Sequence, residues 1–415
     1  MTQAAKPKLI VIGSGMAATR TIEHLLTIAP DRYDITIYGA EPHTNYNRIL
    51  LSPVLAGEMS LPEITLNGAE WYRDNHIRLH TGCRIVAIDR IRREVVIDGG
   101  GSESKREHYD RLLIATGSTP FRLPIPGADL PGVITYRDIA DTEMMIAAAA
   151  PGRRAVVIGG GLLGLEAANG LRARGMAVTV VHVMPWLMER QLDRAASELL
   201  QQSLEARGIA FRLETKTAEL TGTNCVTGIR FADGSEIAAS LVVMAVGIRP
   251  NTQLAEEAGL QVRRGIIVDD TMQTFDPRIY AVGECVAHRG IAYGLLAPLY
   301  EMAKVAAAHL AHAGITYYSG TVLSTKLKVT GVDLFSAGNF MGGTMDGVEC
   351  EEVVLHDRRR RIYKKLVLRN DRLVGGVLVG DTAHSTRYLE MIRSEVDVSA
   401  IRDELMFLPD IRDAA

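Results

Sequence analysis

Two segments of this chain share one pattern. Leu9-Ile10-Val11-Ile12-Gly13-Ser14-Gly15-Met16-Ala17-Ala18 lies near the start, and Ala155-Val156-Val157-Ile158-Gly159-Gly160-Gly161-Leu162-Leu163-Gly164 lies mid-chain. Each is an apolar strand-like run that enters Gly-x-Gly-x-x-Gly/Ala and then a helix-compatible stretch. The first glycine lets the chain turn sharply off the strand. The second leaves no side chain where a pyrophosphate must approach, and the third small residue lets helix and strand pack closely. The phosphates then meet the free N–H groups of the helix N-terminus. One copy alone also fits a tight turn in an unrelated α/β protein. Two copies imply two dinucleotide sites in one polypeptide, which is what passing a hydride from one cofactor to another requires.

The repetition extends beyond the fingerprints. Asp34–Pro42 and Ala177–Pro185 each read as a second strand, and Leu112–Pro120 matches Val242–Pro250 as a closing strand. The repeat is therefore a domain long. Ile85–Asp89 and Glu94–Asp98 alternate like a hairpin, with Asp98-Gly99-Gly100-Gly101-Ser102 as a following turn. The last hundred residues are β-rich, start a separate α+β domain near Tyr318 and end in a helix near Thr386–Ser394. The expected fold is α/β: two Rossmann-like dinucleotide-binding domains plus a C-terminal α+β domain. One dinucleotide domain is discontinuous (1–120 and 252–316), the other spans 121–251, and the C-terminal domain spans 317–415.

A length of 415 residues suits two or three domains, and 47% hydrophobic residues can fill their cores. The net charge of −3 gives no pointer to nucleic acid. No apolar run approaches a membrane span. The apolar stretch near the N-terminus carries Gly13 and Gly15, so it does not read as a signal peptide, and the cytoplasm is the default location. Cys83, Cys225, Cys285 and Cys350 are far apart. That spacing speaks against a dithiol relay, a zinc knuckle or an iron–sulfur cradle, and they read as ordinary thiols. The pairs His76/His80 and His309/His312 have no evident third ligand, so no metal is expected.

Glu41 lies 26 positions after Gly15, at the end of the second strand, where an acid accepts hydrogen bonds from ribose hydroxyls. Its bland alternative is an exposed carboxylate. The matching position in the second block is His182. A neutral imidazole there could bond a ribose hydroxyl, and an imidazolium, with Arg190, could face a 2′-phosphate, leaving NADH against NADPH open. Glu166 follows Gly164 by two residues. It reads either as an acceptor for the nicotinamide amide or as a structural helix carboxylate. Pro298 marks a helix start that, aimed at a flavin, would stabilise negative charge on the ring. Its alternative is an ordinary packed helix. The basic run Arg358-Arg359-Arg360-Arg361 with Lys364 and Lys365 reads as a solvated hairpin turn, or as a docking face for an acidic electron-transfer protein.

Asn45–Ser52, Leu187–Asp193, Tyr280-Ala281-Val282-Gly283-Glu284-Cys285, Leu323–Asp333 and Leu378–Thr382 carry a family resemblance. The chain resembles the pyridine nucleotide–disulfide oxidoreductase superfamily, and within it the flavoprotein portion of the NAD(P)H-dependent nitrite reductase large subunit. The resemblance runs almost end to end. It implies FAD held by Gly13, Gly15, Ala18, Glu41, Arg48, Val86 (backbone), Ala115, Thr116, Gly117, Arg122, Gly283 and Glu284. It implies NAD(P)H held by Gly159, Gly161, Gly164, Glu166, His182, Arg190 and Gly247. Electrons would pass from NAD(P)H through FAD to an iron–sulfur or rubredoxin-type acceptor, or to a nitrite or nitrate reductase subunit, in nitrite or nitrate assimilation. Hydride transfer by stacked cofactors needs no side-chain acid or base, so no certain catalytic residue is expected. A homodimer is compatible with this. The chain carries none of the cysteine clusters of the iron–sulfur and siroheme modules, so nitrite reduction is expected to need a separate component. Alternatives are a rubredoxin or ferredoxin reductase, an NADH oxidase, or a non-catalytic flavoprotein that senses NAD(P)H. Pro53 follows Ser52 where related rubredoxin and ferredoxin reductases carry Lys, and the redox Cys of the oxidases is absent from that region.

Overall fold

The computed structural model describes residues 5–100, 103–314, 316–329 and 331–408. Gly101 and Ser102 of the glycine turn, and Thr330 of the Leu323–Asp333 stretch, lie outside them. The chain forms two compact units. One comprises Met1–Leu51, Met59–Thr119 and Ile248–Thr321, the other Ser52–Glu58, Pro120–Gly247 and Val322–Ala415.

In the first unit the strands Lys8–Ile12, Asp34–Tyr38, Arg78–His80, Arg111–Ile114 and Ile279–Ala281 form a parallel sheet. Its order runs 279–281, 111–114, 8–12, 34–38, 78–80. The inner strands are continuous apolar runs because helices cover both faces of such a sheet. Helix Met16–Ile28 buries Ala18, Ile22 and Leu25 at three- to four-residue spacing, and it packs against helix Leu296–Leu310. Full burial of Ile22 and Leu25 contributes about 1.5–3 kcal/mol each. An antiparallel sheet of Ile85–Asp89, Glu94–Ile97 and Lys105–His108 is inserted before the fourth strand, so the expected hairpin gains a third strand.

The second unit repeats this plan. Its parallel sheet runs 209–212, 177–181, 154–158, 241–244, 133–135. Helix Leu162–Ala173 follows the central strand, and Arg194–Glu205 follows the next connection. A short helix, Leu51–Ala56, lays Leu55 on Gly170, where a Cβ would come within 2.5 Å of the Leu55 side chain. Arg174 fixes it by donating to the Leu55 and Val54 carbonyls. The same unit holds a five-stranded antiparallel sheet of order 324–329, 332–338, 372–379, 362–369, 351–357. Helix Ser385–Ser394 covers that sheet with Tyr388 and Ile392 in its core. Among the described residues no helix is long and apolar enough to cross a membrane.

Candidate dinucleotide-binding sites

The two fingerprints are built alike down to single hydrogen bonds. Gly13 N–H donates to Tyr38 O and Gly159 N–H to Val181 O, both at 2.8 Å. Gly13 has φ +109° and Gly159 has φ +119°. A Cβ at Gly13 would stand 2.2 Å from Ala115 O, and one at Gly159 would stand 2.2 Å from Ala245 O. These glycines are required by the protein itself. Gly15 and Gly161 are different: a Cβ at either would meet nothing within 4 Å. Each caps a helix through extended backbone with no side-chain cap, so no capping side chain takes up the N–H groups of the first turn. That is the cradle a pyrophosphate needs. At the third position Ala18 is buried, and a Cβ on Gly164 would lie 2.0 Å from Gly159 O, which explains glycine in the second copy.

Around the first fingerprint, Glu41 stands at the end of its strand as expected, and it is anchored. Its carboxylate accepts from Arg48 Nη2 at 2.5 Å and from Tyr46 Oη at 2.7 Å. Arg48 also lies over the Tyr46 ring. Burial opposes ionisation of Glu41, but the guanidinium and the two hydrogen bonds outweigh it, so its carboxyl titrates below the usual range. Glu284 accepts from Ser118 Oγ at 2.7 Å and follows Gly283, whose φ is +90°. Thr116 Oγ1 donates to Asn251 O, while Asn251 Nδ2 donates to Thr116 O and Asn251 N–H to Gly117 O. Gly117 has φ +66° and open space beside it. Val86 is half-exposed and skipped in the ladder register between Ile85 and Ala87. Pro298 occupies the first turn of helix Leu296–Leu310, which starts without a side-chain cap. Tyr46, Ser118 and Asn251 escaped the sequence reading. Tyr46 and Ser118 fall within the Asn45–Ser52 and Leu112–Pro120 stretches, but nothing in one sequence marks a hydroxyl or amide as the partner of a site carboxylate or backbone.

In the second unit, Arg122 donates to the carbonyls of Ala128 and Val133 and reaches Asp129. The structure thus gives it the work of stapling this loop. Gly247 has φ +116°, open space beside it, and a carbonyl that accepts from Phe121 N–H. His182 differs most from expectation. It is buried, its Nδ1 accepts from Gly160 N–H at 3.1 Å, and its Nε2 lies 3.0 Å from Glu189 Oε2. Accepting at Nδ1 places the proton of the neutral ring on Nε2, which donates to Glu189. Neither nitrogen remains for a ribose hydroxyl or a phosphate, so His182 supports the fingerprint from beneath. Arg190 is exposed at the adjoining loop. Glu189, within the Leu187–Asp193 stretch, is the partner of the histidine.

Glu166 accepts from Ser52 Oγ at 2.7 Å, and Ser52 Oγ lies 3.1 Å from Tyr136 Oη. Burial pushes the Glu166 carboxyl up to about 7 against the opposing Ser52 hydrogen bond. A raised folded-state value means the fold prefers the protonated acid. Its favourable contribution is complete below the ordinary carboxyl range and is lost as pH rises through about 7. Glu166→Gln should therefore gain on the unaltered protein by about 2–4 kcal/mol near pH 8, and the gain should vanish near pH 4. Thermal unfolding at both pH values reads this, and a pH-independent difference would contradict the assignment.

The basic run separates into two parts. Arg358–Arg361 form an exposed hairpin turn between Glu351–Asp357 and Ile362–Arg369. Lys364 and Lys365 are instead buried, the first paired with Asp381 at 2.6 Å and the second with Glu352 at 2.9 Å. All four cysteines are free, and burial raises the Cys285 thiol. Among the described residues no three His, Cys, Asp or Glu side chains converge as a metal site.

Comparison with known proteins agrees with this geometry. Residues 7–323 match the model of the pyridine nucleotide-disulphide oxidoreductase family. The chain belongs to that family. It is an oxidoreductase with FAD and NAD(P)H as cofactors, and the open cradles at Gly15 and Gly161 fit two dinucleotides. Residues 324–396 match the rubredoxin NAD+ reductase C-terminal domain. The chain is 52% identical over 394 residues to an NAD(P)H nitrite reductase of Bacillus subtilis (strain 168), covering 95% of this chain and 48% of the relative. It is 43% identical over 401 residues to the assimilatory nitrate reductase electron transfer subunit of the same organism, covering 97% and 51%. The chain thus spans about half the length of these curated relatives. The crystal structure of the ferredoxin reductase for the CYP199A2 system of Rhodopseudomonas palustris superposes with a TM-score of 0.86 at 25% identity, covering 99% of this chain and all of that one.

Proposed function

We propose that this chain takes electrons from NAD(P)H and passes them to a separate redox protein, in nitrite or nitrate assimilation. The observation that carries the reading is the matched pair of cradles, each closed beneath by an obligatory glycine and open above. FAD, when bound, accepts a hydride from NAD(P)H and releases its electrons onward. Gly13–Ala18, Glu41 and Glu284 hold it, with Arg48 and Tyr46 keeping Glu41 ionised and aimed. The Ala115–Gly117 turn, clamped by Asn251, supports the same site, as does Val86, which the strand register skips as a bulge. Gly159–Gly164 and Gly247 receive NAD(P)H, with Glu166 near the helix start as acceptor for its amide. The division into an FAD domain (1–120 and 252–316), an NAD(P)H domain (121–251) and a C-terminal domain (317–415) follows, with Ser52–Glu58 grouped beside the NAD(P)H fingerprint. The free, scattered cysteines supply no dithiol relay, so electrons leave the flavin for a redox centre other than a thiol pair of these residues. The exposed turn Arg358–Arg361 suits an acidic iron–sulfur or rubredoxin-type carrier.

A second reading, a rubredoxin or ferredoxin reductase, draws on the match of residues 324–396 to the rubredoxin NAD+ reductase C-terminal domain. Anaerobic stopped-flow mixing with NADH, followed by an acceptor, tests both. Flavin bleaching within seconds and reoxidation by a nitrite reductase iron–sulfur module faster than by rubredoxin is expected. Bleaching over minutes would sink the reductase reading, and rapid reoxidation by air would favour an oxidase.

A further inference from the structure

The loop from His182 to Asp193 is tied at both ends, and the two ties belong to different sheets. At its start His182 accepts from Gly160 N–H, and Met188 N–H donates to Gly160 O at 3.0 Å. Leu187 and His182 fill the space where a Gly160 side chain would be, with Leu187 Cδ2 at 2.7 Å from that position. Met188 sits at φ +53°, a conformation a non-glycine residue holds only when its surroundings impose it. At the loop's end Asp193 caps helix Arg194–Glu205, its Oδ1 accepting from Ala196 N–H at 3.0 Å. Capping uses one carboxylate oxygen. The other accepts from Tyr363 Oη at 2.7 Å, a fully buried hydrogen bond, and lies 3.7 Å from Lys365 Nζ. Lys365 is buried, pairs with Glu352 and donates to Met341 O at 3.2 Å. Tyr363 and Lys365 stand on strand Ile362–Arg369 of the antiparallel sheet, far along the chain from the fingerprint.

We propose that Tyr363 and Lys365 are positioning residues for the Gly159–Gly164 site. They fix Asp193, Asp193 fixes the loop, and the loop sets both backbone groups of Gly160 through His182 and Met188. The C-terminal domain thereby shapes the nucleotide cradle without touching the nucleotide. Burial and the Asp193 contact push the Tyr363 phenol upward, so it stays a donor throughout the working range. The inference rests on the reading that NAD(P)H binds at this fingerprint.

Tyr363→Phe removes only the hydroxyl. Calorimetric titration of the holoenzyme with NAD+ or NADP+, whichever the unaltered protein binds more tightly, should give a Kd raised about fivefold, while the limiting rate of flavin reduction at saturating reduced nucleotide stays within about twofold. Asp193→Ser, which keeps a helix cap but cannot reach Tyr363, should do the same. A merely structural role would lower the melting temperature and leave Kd alone. NAD+ or NADP+ binding by the unaltered protein together with unchanged Kd in both variants overturns this role only. Failure of the unaltered protein to bind either NAD+ or NADP+ overturns the site assignment and this role with it.

Discussion

Gly161→Val should give a folded, yellow protein whose flavin is reduced by NADH with an efficiency lower by about ten- to a hundredfold. The backbone at Gly161 is extended, φ −82° and ψ −177°, which valine accepts, and its Cβ would enter open space. Apart from a helix-capping preference, the protein alone gives no reason for glycine there. The helix loses a good cap residue, a cost of about 1 kcal/mol that a domain this size tolerates. What valine does obstruct is the ligand, because its methyl groups occupy the approach of the pyrophosphate to the first-turn N–H groups. Gly15→Val is the reciprocal case, with the same extended backbone and the same empty surroundings. It should fold yet purify without FAD. The ratio of flavin to protein absorbance and anaerobic stopped-flow with NADH separate the two variants. Wild-type kcat/KM in Gly161→Val would mean that NADH binds elsewhere.

That contrast also shows what the sequence made legible. The fingerprints, second strands and closing strands announce themselves because a doubly wound sheet needs continuous apolar runs and glycine at fixed turns. Each is a local demand that recurs within one sequence. The placement of Glu41 was readable for the same reason, as an acid at a strand end after a fingerprint, whereas Glu284 was offered only by the family resemblance of Tyr280–Cys285. The role of His182 was not readable. Its position matched an acid's, but position says nothing of burial, and the carboxylate seven residues on that claims its ring comes from a loop whose path only the fold determines. The basic run misled in part for a related cause. Lys364 and Lys365 look continuous with Arg358–Arg361, yet on the strand that begins at Ile362 both lysines are buried and paired with partly exposed carboxylates. Arg122, assigned by resemblance, is drawn to nearby carbonyls that no motif reveals.

Gly13→Ala should fail more severely than Gly15→Val, and earlier, at folding instead of binding. The added methyl would sit 2.2 Å from Ala115 O and 2.9 Å from its carbonyl carbon. That backbone cannot retreat, because Ala115 N–H donates to Ile12 O at 2.8 Å and strand Arg111–Ile114 lies between two others in the sheet. The φ of +109° adds its own penalty for any residue with a Cβ. Together these cost at least about 3 kcal/mol, against a total stability of about 5–15 kcal/mol for a domain. Gly159→Ala meets the same obstruction from Ala245 O in the other unit. Limited proteolysis read by mass spectrometry should therefore find new cuts in Met59–Thr119 and Ile248–Thr321 for Gly13→Ala. For Gly159→Ala the cuts should fall in Pro120–Gly247 and spare those segments. Equal protease resistance of Gly13→Ala and the unaltered protein would show that the turn can rearrange around a methyl group. The first glycine of the fingerprint would then serve the ligand, as the second does, and not the fold.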